Sequence, residues 1–327
     1  MDIIITEKIS GKAIEELKKT YDVLGDEDLW KDRDSLSRRI SEAKAMIVRN
    51  QTKVDGKLLE ATQSLLVIGR AGVGYDNIDV EAASKHGIVV CYAPNENSIS
   101  TAEHAFALIL ALYRKIPAGH LSTANGHWDR FKFLGNELFG KTLGILGLGK
   151  VGARVAIRAR AFGMKIIAYD KFLSRYGYLV TEAGADLKSL DEVFVNADVI
   201  SCHLPLTDET RGMVNYSKLQ LMKMGSIIIN TGRGELIVER DLVRALREGI
   251  IAGAGLDVRE KEPPPESELN RMENVVLTPH VAGLTVEAQE KVIDSVAGDV
   301  RRVLEGLAAV NYVNFPLPKK GEAKSGQ

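Results

Sequence analysis

The chain has 327 residues, a length that suits two domains of ordinary size, and 45% of them are apolar, enough for real cores. Its 43 Lys and Arg nearly balance 44 Asp and Glu, so no bulk charge invites nucleic acid or a membrane surface. No apolar run reaches the roughly 18 residues that span a bilayer. The N-terminus lacks the basic leader of a signal peptide, and Cys91 and Cys202 stand far apart without metal-ligand companions, so a reduced, cytoplasmic protein without a metal site is expected.

Residues 1 to about 97 alternate strand and helix signals. Short apolar strands are predicted at 2–6, 21–24, 45–48 and 65–68, with helices at 11–19, 35–43 and 55–61 between them; Ser10 is placed to cap the first helix. Such alternation argues for a parallel sheet with helices on its faces, and ligands gather at the carboxyl ends of its strands. Arg49 and Arg70 both fall at predicted strand ends, and the glycines of 69–74 allow backbone N–H groups to face an anion. A carboxylate or phosphate site and plain turn chemistry are both open there.

A short strand at 87–93 is broken by Pro94. The pattern Ser100-x-x-Glu103 then predicts a capping box opening a long helix over 101–114. That helix is apolar on every face and is expected to be buried all round, between domains or subunits. A polar segment with Trp128, Arg130 and Lys132 follows.

Residues 142–152, Thr-Leu-Gly-Ile-Leu-Gly-Leu-Gly-Lys-Val-Gly, read as a buried strand running into a glycine-rich turn and a helix. Gly147, Gly149 and Gly152 form G-x-G-x-x-G, in which the first permits the turn, the second admits a pyrophosphate and the third lets helix pack on strand. Lys150 and Val151 lie at the helix N-terminus, whose free N–H groups and partial positive charge suit phosphates. A second apolar strand, 165–169, ends at Asp170, about 18 residues after Gly152, near the spacing expected of an acid that binds ribose hydroxyls. An acid there favours NAD; Lys171 keeps NADP in view.

The stretch from 171 to about 191 reads as loop-rich. Further strands at 199–203, 226–230, 251–256 and 275–277 end at His203-Leu204-Pro205, at Thr231-Gly232-Arg233, at Asp257 and at Thr278-Pro279-His280. A last helix is expected at 285–304, and the polar tail 319–327 is expected to be disordered.

A nicotinamide enzyme acting on a hydroxy acid needs a cation for the carboxylate, a proton acceptor for the hydroxyl and a group to orient that acceptor. Arg233, His280 and Glu262 suit these needs in turn: a guanidinium fork, an imidazole, and a carboxylate that stabilises the charged imidazole. Asp257 is placed to face a nicotinamide carboxamide, and His203 with Leu204 and Pro205 to wall an adenine. His86, His104, His120 and His127 fall on segments away from this edge.

The stretches Thr231–Gly234, Leu256-Asp257-Val258 running to Glu262-Pro263, and Thr278-Pro279-His280 resemble the signature of the D-isomer-specific 2-hydroxyacid dehydrogenases, and the resemblance covers the chain to about residue 315. Residues 69–77, 97–104, 128–133, 140–144 and 285–289 are similar to its phosphoglycerate-oxidising members. The resemblance implies an NAD-binding Rossmann domain, 98–285, inserted into a flavodoxin-like substrate domain made of 1–97 and 286–327. It implies that Arg233 holds the carboxylate and C2 oxygen of a phosphorylated 2-hydroxy acid, D-3-phosphoglycerate, that His280 takes the hydroxyl proton as hydride leaves C2 for NAD, and that Glu262 supports His280. It also implies that backbone near Val73 and Gly74 takes the carboxylate. Arg49, Lys53 and Arg70 are candidates for the phosphate, with Arg130 or Lys132 of a second subunit. The cofactor set it implies is the glycine turn with Lys150 and Val151, Asp170, 203–205, 231–233, Asp257, His280 and Gly283.

The resemblance also implies a homodimer joined through the long helix and the Trp128 arm. Val281-Ala282-Gly283-Leu284 departs from those members and looks more like the wider family. With no regulatory domain after residue 327, feedback through one is not expected. A glyoxylate or hydroxypyruvate reductase on the same scaffold, and an NAD-sensing corepressor, are the competing readings.

Overall fold

The structure is a computed structural model and describes residues 1–319. It divides into two compact units, one made of residues 1–97 and the described residues from 285 on, the other of residues 98–284.

The first unit alternates strand and helix. Its elements are β1 (Ile3–Ile5), α1 (Lys12–Thr20), β2 (Val23–Gly25), α2 (Arg33–Ile40), β3 (Ala45–Val48), α3 (Gly56–Glu60), β4 (Val67–Arg70), α4 (Val80–Lys85) and β5 (Val89–Cys91). All pairings are parallel, in the order β2-β1-β3-β4-β5, the flavodoxin-like order. Asp32, Asp55 and Asp79 cap α2, α3 and α4 by accepting backbone N–H groups. The expected Ser10 cap does not form: Gly11 is the N-cap of α1, and no side chain caps that end.

The second unit comprises α5 (Ser98–Tyr113), α6 (Ile116–Ala124), β6 (Thr142–Leu146), α7 (Lys150–Ala161), β7 (Lys165–Tyr169), α8 (Tyr178–Ala183), β8 (Asp186–Leu187), α9 (Leu190–Asn196), β9 (Val199–Cys202), α10 (Tyr216–Leu219), β10 (Ile227–Asn230), α11 (Glu239–Arg247), β11 (Gly253–Leu256) and β12 (Val275–Leu277). Its parallel sheet runs β12-β11-β10-β9-β6-β7-β8. Counted from β6, this is the 3-2-1-4-5-6 winding of dinucleotide-binding folds with one more strand at the edge. Both units are thus α/β, one flavodoxin-like and one Rossmann.

Two helix expectations are corrected. The long helix begins at Ser98, so Ser100 lies inside its first turn and the Ser100–Glu103 capping box does not operate. The stretch read as loop, 171–191, holds α8, β8 and the start of α9, whose real capping box is Ser189 with Glu192.

A final helix, α12 (Val286–Leu304), belongs to the first unit. It buries Val292, Val296, Val300 and Val303 on the sheet, at about 1.5–3 kcal/mol for each such side chain. The close approach requires Gly69 in β4, where a Cβ would stand 2.6 Å from Val296 and 2.8 Å from Val300. Lys319 is held by a hydrogen bond to Gly87; the rest of the tail expected to be disordered, 320–327, lies outside the described residues.

Candidate active site

The glycine turn after β6 is built as a cradle. Gly147 has φ 92°, a left-handed value that favours glycine, and its N–H donates to Tyr169 O at 2.8 Å. A Cβ on Gly152 would meet Gly147 O at 2.2 Å, so α7 sits against the turn only because that side chain is missing. Gly149, the N-cap of α7, opens onto free space: a Cβ there meets nothing within 4 Å. Gly149 and Lys150 are exposed and Val151 is partly so. Asp170 closes the far side; its carboxylate accepts the Leu148 and Phe172 N–H groups, each at 3.0 Å.

The ends of β9 and β10 flank this turn. Gly147 lies so close to the His203–Leu204 peptide that a Cβ would stand 2.9 Å from it, and Gly232 packs beside the carbonyls of Cys202 and Leu204. His203 Nε2 meets Ser201 Oγ at 2.8 Å, and burial pushes its imidazole down to about 4. Leu204 is half-buried and Pro205 exposed. Thr231 is buried, and its hydroxyl has no hydrogen-bond partner among the described residues. An open helix N-terminus, a clear approach at Gly149, an acid at the end of β7 and an orphaned buried hydroxyl together fit a dinucleotide.

Arg233 follows on the β10 end. Asn230, almost fully buried, shapes that turn: its amide donates to Arg233 O at 2.8 Å and accepts the Gly232 N–H at 3.0 Å. The Arg233 guanidinium donates to Gly232 O at 2.8 Å and is only partly exposed.

His280 and Glu262 come together. His280 Nδ1 lies 2.6 Å from Glu262 Oε2, and the other oxygen, Oε1, accepts the Arg259 N–H at 3.1 Å. Burial resists charge on Glu262, but the hydrogen bond and charge of His280, the Arg259 N–H and the charge of Arg233 outweigh it and hold the carboxyl below its usual range. All three predicted residues therefore interact within one unit. With Nδ1–H given to Glu262, His280 presents Nε2 as an acceptor, an assignment made from the hydrogen bond.

Asp257, expected to face a nicotinamide, lies just past the end of β11 and is buried. Its side chain has no exposed surface. One oxygen accepts Thr278 Oγ1–H at 2.6 Å and the Val281 N–H at 2.9 Å; the other accepts the Ala282 N–H at 2.8 Å. The carboxylate holds the loop that carries His280, with Gly283 just beyond. His104, expected to lie away from this edge, is in fact at its back: its Nε2 is 2.9 Å from Thr278 Oγ1 and 3.5 Å from Asp257. No local pattern announced that link, since 174 residues separate the partners.

The cations of the first unit gather at the carboxyl edge of its own sheet. β3 and β4 are neighbours, with Val48 opposite Arg70. Glu7, buried, accepts the N–H groups of Arg49, Gln51 and Thr52 and the Thr52 hydroxyl, and so pins the loop bearing Arg49 and Lys53. Burial lowers the Arg49 pKa, and the Glu7 charge offsets this in part. Arg70 donates to Ala71 O at 2.9 Å and lies across Gly72, one turn before Val73 and Gly74. Lys53 is exposed.

Residues 106–282 match the model of the D-isomer specific 2-hydroxyacid dehydrogenase NAD binding domain. The D-3-phosphoglycerate dehydrogenase of Archaeoglobus fulgidus is 44% identical over 317 residues, 97% of this chain, while the chain spans 60% of that protein's length. A crystal structure of a Thermus thermophilus protein superposes with a TM-score of 0.89 at 34% identity, over 96% of this chain and 100% of that one. An NADPH-dependent glyoxylate/hydroxypyruvate reductase of Sinorhizobium meliloti, solved with NADP and malonate, does so at 0.87 and 29% identity, over 98% and 99%. The domain match and the full-length likeness at 34% identity place this chain in the family of D-isomer specific 2-hydroxyacid dehydrogenases.

Proposed function

We propose that the protein oxidises D-3-phosphoglycerate to 3-phosphohydroxypyruvate with NAD, a reaction that leads to serine. The observation that carries the dehydrogenase reading is the His280–Glu262 pair at 2.6 Å with the charge of Arg233 felt at Glu262. Arg233 binds the substrate carboxylate with its planar fork and polarises the C2 oxygen. His280 Nε2 accepts the C2 hydroxyl proton, while Glu262 holds Nδ1–H and balances the imidazolium that forms. NAD, when bound, supplies the hydride acceptor. Gly147 to Gly152 and Thr231 hold it, and Asp170 takes the ribose hydroxyls in preference to a ribose phosphate; Lys171 is engaged by Glu209 at 2.6 Å.

The phosphorylated substrate is supported by the 44% identity to a phosphoglycerate dehydrogenase and by Arg49, Lys53 and Arg70, the proposed phosphate contacts; Val73 and Gly74 are the proposed backbone contacts. Two free, buried cysteines are in keeping with a reducing cytoplasm. Among the described residues no helix is long and apolar enough to cross a membrane. We also propose a homodimer: α5 leaves Ala107 and Glu103 exposed over an apolar groove with Phe106, Leu110 and Phe162, and Trp128, Phe131 and Leu134 project beside it in sequence with more than three-quarters of each exposed.

Rates of NAD reduction with D-3-phosphoglycerate, set against NADH oxidation with glyoxylate and hydroxypyruvate, test the assignment. Phosphoglycerate is expected to be the better substrate, and His280→Gln to cut kcat by about 10²–10⁴-fold. Phosphoglycerate turnover at background beside brisk reduction of glyoxylate would replace this reading by the second one, which the likeness to the Sinorhizobium reductase favours.

A further inference from the structure

The segment leaving β11 carries Glu262, whose side chain keeps about a third of its surface exposed, 34%. Three residues earlier the situation differs. Arg259 is only 7% exposed. Its Nε and Nη2 donate to the two carboxylate oxygens of Glu239, each at 2.8 Å. Nη2 also donates to Ser267 Oγ at 3.0 Å, and Nη1 reaches Asn270 Oδ1 at 3.4 Å. Glu239 Oε1 takes the Glu260 N–H as well, at 2.8 Å. One guanidinium thus links the first turn of α11, residues 259–260, and the 3-10 turn Glu268–Arg271.

The same backbone reaches the other site residues. The Arg259 N–H donates to Glu262 Oε1 at 3.1 Å, so the strut and the carboxylate share one residue. Arg259 O presses on Gly234, where a Cβ would stand 1.9 Å away, beside Arg233. A buried ion pair is expensive to desolvate, and an apolar pair would hold a loop as firmly. What an apolar pair lacks is direction: a bidentate fork fixes the guanidinium plane and with it the backbone on which it is mounted.

We infer that Arg259, gripped by Glu239, is a positioning residue that sets the backbone from which Glu262 meets His280. The inference rests on the proposed roles of Glu262 and His280. The groups that face Glu262 are His280, Arg233 and the Arg259 N–H, with Glu260 and Lys261 flanking it in the chain.

The test uses the full chain with D-3-phosphoglycerate and NAD, and reads both the pH–rate profile and the titration of the His280 ring by NMR. Arg259→Lys keeps the charge and loses the fork; Glu239→Gln keeps the shape and loses the charge; Glu262→Gln is the reference. Glu262→Gln should move the His280 titration and the acid limb of the rate profile to lower pH, since the carboxylate that accepts Nδ1–H is gone. Arg259→Lys and Glu239→Gln should move both in the same direction by less, with kcat down about tenfold and KM for NAD within about twofold. Folded Arg259→Lys or Glu239→Gln protein that titrates as wild type, whatever its rate, overturns the inference. If Arg259→Lys does not fold, Glu239→Gln decides alone. An unmoved titration in Glu262→Gln itself would remove the pairing and the inference together, whereas an unmoved titration confined to the other two variants removes only the inference.

Discussion

His280 has φ 55°, in the left-handed region, which costs a non-glycine residue about 1–2 kcal/mol. The strain persists because Asp257 over-determines the loop: its backbone carbonyl takes the His280 N–H at 2.8 Å and its carboxylate takes Thr278, Val281 and Ala282. Asp257→Asn should therefore damage the site without touching a reacting atom. The new amide replaces one acceptor by a donor, and whichever way it turns it opposes a backbone N–H, a loss of about 1–3 kcal/mol for a buried group left unmet. We expect a melting temperature lower by several degrees and a kcat lower by about 10–100-fold, with KM for NAD little changed. Scanning calorimetry and steady-state rates check this; a wild-type kcat would mean that other contacts hold His280.

The elements that a periodicity or a breaker announces were legible: the parallel strands, the glycine turn, and the strand ends that present Asp170, Arg233 and His280. Elements that are short, or framed by distant partners, were not. α4 and α8 have six residues each, too few for a helical period to show, and β8 has two. The hold of Asp257 on a loop 24 residues later carries no local pattern, because a strand-end acid looks the same in sequence whatever it binds. The Glu239–Arg259 pair and the His104–Thr278 contact, 20 and 174 residues apart, carry no local pattern at all. The reading of α5 as buried on every side holds for most of its length and fails at Ile99, Glu103 and Ala107, and this exception is informative. The apolar groove left open along α5 and the exposed Phe131 predict self-association. Phe131→Glu, at a side chain 89% exposed in the single chain, should not affect the fold of the unit but should weaken the dimer by about 30-fold or more, equal to about 2 kcal/mol. Sedimentation velocity across a dilution series reads it, and a wild-type chain that sediments as a monomer at micromolar concentration would remove the proposed interface.

Taken as one molecule, the chain should lose stability in acid in two steps, and the first belongs to His203. Its folded pKa, pushed down to about 4 by burial, lies below its unfolded value of about 6.5. As pH falls through 6.5 the unfolded chain takes up a proton that the folded chain refuses, so stability present above that pH is lost progressively toward pH 4. The full difference corresponds to about 3 kcal/mol, an upper limit because His203 keeps part of its surface exposed. The second step belongs to carboxylates held below their usual range, Glu239 and Glu262 among them: burial opposes their charge, and the hydrogen bonds of Arg259 and His280 prevail. Their contribution is present above the unfolded value of about 4.3 and is lost only as pH falls further. The two windows are separable by substitution. His203→Gln, which keeps a hydrogen-bonding group for Ser201, should abolish the loss between about pH 6.5 and 4.5 and leave the one below it. Because the chain has two compact units, a single unfolding midpoint would mix them; hydrogen exchange of the β9 and β10 amides reports the relevant unit directly. Protection of those amides that falls equally in wild type and His203→Gln between about pH 6.5 and 4.5, after correction for intrinsic exchange, would assign the first step to another group.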